Sequence, residues 1–193
     1  MAKVGLSKSY AAPYTYDSGT GRATYSGGMS IGKAVSVDIA VNTAADNDFY
    51  ADNGVAESAK GFGGGTLTVT DDRMPLAAAA MLLGLEVAQN ETPAGTIIDF
   101  PADSAAPYVG YGTVAKHIMD GVDQWRAIIL LKVQFNVPAV SGTTQGQTIT
   151  FEGNQITANI LRSDDEEGRW MRWGDFATEA NADAWVKSVL GIT

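Results

Sequence analysis

His117 is the one histidine of the chain, which has no cysteine. Zinc and facial-triad centres need several imidazole, thiolate or carboxylate ligands at fixed spacing, and neither Glu-x-x-His nor His-x-His surrounds His117, so no such metal site is expected. His117 reads as a solvent-facing strand residue, and nucleophilic hydrolysis through a serine elbow is not expected. Gly61-Phe62-Gly63-Gly64-Gly65 leads into a strand and lacks a following lysine, which suits a hinge and not a phosphate cradle. Asp71-Asp72 stand directly before an apolar helix and read as caps favoured by its dipole. Asp164 to Glu167 lack the alternating ligand order of a calcium loop and read as a solvated turn. Trp125, Trp170, Trp173 and Trp185, with seven tyrosines, offer a surface on which sugars could stack, but aromatic side chains more often anchor a core or a subunit contact. Trp170 and Trp173 are three apart on a strand, so they do not share a face unless a bulge intervenes. Neither a catalytic residue nor a cofactor is expected, and the chain does not read as an enzyme.

The elements that must position these residues are mostly strands. Val35, Val37, Ile39 and Val41 alternate with Ala34, Ser36, Asp38 and Ala40, the period of a half-buried strand. Tyr10 to Tyr16 is aromatic but holds Pro13, which places it at an edge or breaks it. Thr66 to Thr70 alternates threonine with aliphatic residues. Tyr108 to Met119 and Val122 to Val137 flank Asp120-Gly121, a two-residue hairpin signal, and the apolar centre of the second run predicts burial on both faces. Shorter strands are expected over 96–100, 147–151, 155–162 and 169–173. A helix is predicted over 74–83, and a second over about 177–190, where Trp185, Val186, Val189 and Leu190 share one face. The reading is a mainly β, sandwich- or barrel-like single domain over 1–193, with eight to ten strands, one or two short helices, and a long polar loop over 42–65. Strands this long overhang a small core, and another copy of the chain is the cheapest cover for their edges.

Composition narrows the function further. The chain has 193 residues, 22 glycines and a net charge of -9, which describes a folded protein rich in turns. Its sign is wrong for holding phosphate backbones by counterion release. Met1 to Lys8 lack the apolar core of a secretory signal, and the most apolar stretch, Met74 to Leu85, is too short to cross a bilayer, so synthesis in the cytoplasm and no membrane partner are expected.

Several segments, in order along the chain, resemble the major tail proteins, or tail-tube proteins, of long-tailed bacteriophages with flexible tails. They are Met1-Ala2-Lys3-Val4-Gly5-Leu6, Gly32-Lys33-Ala34, Tyr50 to Ser58 (YADNGVAES), Thr144 to Phe151 (TQGQTITF), and Trp185 with Val189 in the terminal helix. The resemblance implies a tail-tube β-sandwich that assembles into six-membered rings. Stacked rings would form a hollow tube in the virion tail through which the genome passes without specific binding. It also implies tape-measure, tail-terminator and distal-tail proteins as partners. The carboxyl-terminal immunoglobulin-like domain of some members is not expected here. An acidic lumen would repel DNA, which gives the net charge a use. Self-association is assigned to the 42–65 segment, with Phe49, Tyr50 and Val55 as apolar contacts and Asp52 and Glu57 as polar ones. The alternatives are the tube of a contractile injection machine, a capsid-decorating protein, and a carbohydrate-binding β-sandwich.

Overall fold

The computed structural model describes residues 2–43, 47–51, 54–59, 61–91, 93–119, 121–138 and 153–193. Thirteen strands and two helices are defined: β1 (Ala2–Asp17), β2 (Arg22–Tyr25), β3 (Met29–Gly32), β4 (Ala34–Thr43), β5 (Asn47–Ala51), β6 (Gly54–Ala59), β7 (Phe62–Asp71), α1 (Leu76–Leu83), β8 (Val87–Glu91), β9 (Ala94–Ile98), β10 (Tyr108–Met119), β11 (Val122–Phe135), β12 (Asn154–Leu161), β13 (Met171–Phe176) and α2 (Glu179–Val189). The predicted 147–151 strand lies outside the described residues.

Nine strands form one antiparallel sheet in the order β2-β1-β10-β11-β12-β7-β4, with β3 on β1 and β13 beside β12 on the same flank of β11. Its spine is the β10–β11 hairpin, in which Met119 faces Val122 across the expected two-residue turn and Gly121 has φ 79°. Leu130 and Val133 of β11 enter one apolar cluster, Ile129 and Leu131 the other, so this strand is buried on both faces as its apolar run predicts. The first cluster joins Ala11, Val109 and Tyr111 to Leu67, Val69, Ile156 and Ile160, with Leu82 and Leu83 of α1 closing it. The sheet thus folds over so that the β12–β7–β4 limb faces the β1–β10–β11 limb, a mainly β, sandwich-like fold. Among the described residues no ladder joins β4 to the far end of the sheet, so it is not a closed barrel.

On the outer face of β1–β10–β11, α2 lays Ala182, Val186 and Leu190 over Val114, Ala127 and Ile129. Thr178 caps α2 by accepting from the Asn181 backbone N–H at 3.3 Å. Asp183 ties the helix to β1, accepting from the Tyr10 hydroxyl at 2.7 Å and pairing with Lys8 and Lys187 at 3.1 Å. Burial pushes the Asp183 carboxyl up, but the Tyr10, Lys187 and Lys8 contacts outweigh it and hold the group below its ordinary range.

Three expectations are corrected. The 42–65 segment is not a loop: β4 runs to Thr43, β5 and β6 pair as a hairpin, and β7 begins at Phe62. The glycine run is not a hinge but the start of β7, where a Cβ on Gly65 would lie 2.6 Å from the Ala40 carbonyl oxygen, so glycine lets β4 close in. Pro13 sits not at an edge but inside β1, opposite Val109, where the β3 partner has ended at Ala11 and the β2 partner begins at Tyr14.

Gly112 lets α2 approach β10, since a Cβ there would lie 2.5 Å from Val186 Cγ1 and 3.0 Å from Leu190 Cδ1. Gly112→Ala is expected to lift α2 and cost about 1–3 kcal/mol of unfolding free energy, read by urea denaturation; an unchanged midpoint would show that the helix gives way freely.

Candidate self-association surface

A β-strand edge exposes backbone donors and acceptors that need partners. Among the described residues β4 pairs only with β7, leaving ten residues open along its outer side. Val35 and Val41 on this strand are 60% and 44% exposed, while Val37 and Ile39 lean on the first cluster. β13 likewise pairs only with β11, and Ala2–Lys8 of β1 only with β10.

Two hairpins stand apart from the nine-stranded sheet. The first is β5–β6, which carries the residues assigned to self-association: Phe49 lies opposite Glu57 and Tyr50 opposite Val55, while Asp52 lies outside the described residues. The second is β8–β9, which the sequence reading missed in part by leaving β8 unassigned. Its signal was in the charges: from Met74 to Ala115 the chain has Glu86, Glu91, Asp99 and Asp103 but no lysine or arginine. Val87, Ile97 and Phe100 are exposed there, Phe100 by 57%.

Around the carboxyl-terminal end of α2 an open cleft of about 380 Å³ has Tyr25, Leu131 and Val189 in its wall and Arg169, Arg172 and Asp165 at its rim. Arg169 pairs with Glu167 at 2.7 Å and more loosely with Asp165 at 3.7 Å. The acidic turn beside the cleft is therefore more than the solvated turn expected. The Tyr14 hydroxyl donates to Asp164 at 3.0 Å, and Lys132 pairs with the same carboxylate, so the turn is pinned to β1 and β11. Hydrogen bonding from Lys132 holds Asp164 below its usual range.

The chemistry-bearing residues do not converge. His117 is not solvent-facing but 2% exposed, with Nε2 3.8 Å from Asp175 Oδ1. Asp175 is occupied by Arg126, which donates to both its oxygens at 2.7 Å and holds that carboxyl low. A Gly-x-Ser-x-Gly string does occur, as Gly28 to Gly32, but Ser30 lies on strand β3, leads into β4 and not a helix, and its hydroxyl faces the Gly32 carbonyl. No nucleophile elbow forms there. Among the described residues no three His, Asp or Glu side chains gather to hold a metal ion. Trp170 stacks on Phe62 at 4.7 Å, while Trp173 is 63% exposed under the Arg126 guanidinium, so the two make no shared platform. Among the described residues no helix is long and apolar enough to cross a membrane.

Asp71 and Asp72 are not helix caps. The helix α1 starts after Pro75 with no side-chain cap. Asp72 accepts from the Lys33 and Arg73 backbone N–H groups, bracing the corner between β3 and β7. Asp71, the last residue of β7, pairs across its strand with Ala34 and Asn154 and is fully buried, and neither carboxylate oxygen has a donor among the described residues.

No protein-family model matches the chain, and no curated protein matches it.

Burial, reinforced by the neighbouring Asp72 charge, pushes the Asp71 carboxyl from 3.8 up to about 6. The fold therefore favours the protonated form. The native state holds this proton as pH rises past the unfolded value, stability falls through the window between the two values, and the full penalty applies above the higher one. The stability of Asp71→Asn relative to the parent is expected to rise by about 3 kcal/mol between about pH 3.5 and about pH 7.5 in urea titrations. A difference that stays constant with pH would mean that the carboxyl is solvated.

Proposed function

We propose that this chain is a structural subunit that assembles with copies of itself, and that it does so as the tail-tube protein of a flexible-tailed bacteriophage, in stacked, six-membered rings around a channel for DNA. One observation carries the reading: β4 is a ten-residue edge strand with no partner on its outer side among the described residues. A strand from the next copy, added to that edge, satisfies its backbone groups, and a heterologous contact repeated by rotation closes a ring. The apolar side chains exposed along β4 supply the desolvation that hydrogen bonding alone does not.

The β5–β6 hairpin is the second element of this reading. It extends from β4 and β7 as its own two-stranded sheet, and Phe49, Tyr50, Asp52, Val55 and Glu57 are proposed as its contacts with a neighbouring ring or protomer. The net charge of -9 suits a conduit that lets DNA pass without adhering. Tape-measure, terminator and distal-tail proteins would then be the partners at the tube's ends, and the virion tail the place of residence.

Negative-stain microscopy of concentrated protein is expected to show rings or tubes. Lysines blunt natural sheet edges, so Val35→Lys with Val41→Lys should abolish the assemblies while changing monomer stability by no more than about 0.5 kcal/mol. Assemblies unaffected by both substitutions would remove β4 from the interface, and a parent that stays solitary at every concentration would end the reading.

A further inference from the structure

We propose that the β8–β9 hairpin, with Phe100 beside it, docks into the arginine-rimmed cleft at the end of α2 on a second copy of the chain, joining copies head to tail. This rests on the self-assembly reading and names faces that it leaves open.

An isolated two-stranded hairpin is marginal in water, and β8–β9 pairs with no other strand among the described residues. Every described residue on it is exposed or half-buried. Val87, Ile97 and Phe100 therefore remain in water unless another surface covers them. That surface must also accept the charges of Glu86, Glu91, Asp99 and Asp103, which no lysine or arginine between Met74 and Ala115 offsets. An apolar wall with a cationic rim meets both needs.

The cleft supplies the apolar wall, and beside its acidic Asp165 and the Arg169 already paired with Glu167 it leaves one lining arginine, Arg172, to take a new carboxylate. Tyr25, Leu131 and Val189 form its wall. Arg172 stands at its rim, and Arg162 packs against Gly168 in the adjoining turn. Among the described residues neither arginine has a carboxylate within 4.0 Å.

The positions fix the mode of contact. The hairpin follows α1, which closes the first cluster, whereas the cleft lies at the end of α2, which covers the opposite face of the β1–β10–β11 limb. Two different patches of one molecule meet by a heterologous contact, which repeats into rings or filaments.

The absence of native cysteine makes a cross-linking test clean. A mixture of Phe100→Cys and Ser188→Cys copies, under mild oxidant, is expected to yield a disulfide-linked mixed dimer that neither copy gives alone. Arg172→Glu on the Ser188→Cys copy should reduce the yield at least tenfold, and Glu91→Lys with Asp99→Lys on the other copy should restore it. Linkage of Phe100→Cys to itself, or a yield indifferent to Arg172→Glu, would overturn the proposal. Rings or tubes seen by microscopy without any 100–188 linkage would sink this contact and spare the tube reading; linkage without rings or tubes would do the reverse.

Discussion

A buried or assembly-forming sheet must satisfy every backbone N–H and C=O, and this requirement shapes the molecule more than any side-chain cluster does. Within the nine-stranded sheet the central strands meet it fully, since β10 and β11 are paired on both sides over most of their length. Among the described residues β4 meets it on one side only. Natural edges are usually blunted by lysine, proline, bulges or brevity. Here the ladder shifts register only near the two ends, between Ala34 and Ser36 and between Val41 and Thr43, while the middle carries one charge, Asp38, and neither lysine nor proline. An edge this long and this little protected is a liability for a solitary protein and an asset for one that assembles.

The interior is built to hold that edge still. Asp183 gathers Tyr10, Lys8 and Lys187 into one node that locks α2 onto β1, and the pairing holds because three donors satisfy one largely buried carboxylate. Gly110 and Gly112 let α2 settle where any larger side chain on β10 would strike Tyr25, Leu190 or Val186. The stiff part and the uncovered part are thus separate: two clusters and a pinned helix on one hand, a bare edge and two outlying hairpins on the other. Stability is concentrated where contacts are internal.

The strands with period-two patterning were legible from the sequence because β10, β11 and the first part of β4 bury alternate residues or whole runs, and Asp120-Gly121 announces its turn chemically. The second helix was legible from its spacing. The strands Asn47–Ala51 and Val87–Glu91 were not, because both are short and mix polar with apolar residues without a clear alternation, and Val87–Glu91 buries none of its residues. His117 and Asp71 misled for a different reason. His117 reads as solvent-facing because polar strand residues default to that side, and Asp71 reads as a cap because it precedes an apolar helix, yet both are enclosed, a fact that depends on which limb of the sheet folds over them and that no local window contains. The 42–65 segment reads as a loop because its polar, glycine-rich composition hides the strands β5 and β6, and the open edge of β4 and the β8 strand carry no signal beyond alternation and an unbroken gap in positive charge.

Like charge on every copy sets a condition on any assembly. At a net -9 identical molecules repel one another, and at physiological ionic strength the screening length of about 8 Å removes most of that repulsion between distant groups while leaving contacts at hydrogen-bonding range nearly intact. Net charge therefore governs whether copies approach, and local complementarity governs how they dock. A contact between two equivalent acidic faces would add repulsion to the whole-molecule term, whereas one between an acidic face and a different, arginine-rimmed one subtracts from it. Charge along this chain is uneven, with carboxylates alone from Met74 to Ala115 and Arg162, Arg169 and Arg172 interleaved with Asp164 to Glu167, so the first stretch finds less repulsion against the second than against its own copy. Unlike faces are the geometric requirement for a ring or a filament, and a two-fold dimer lacks them.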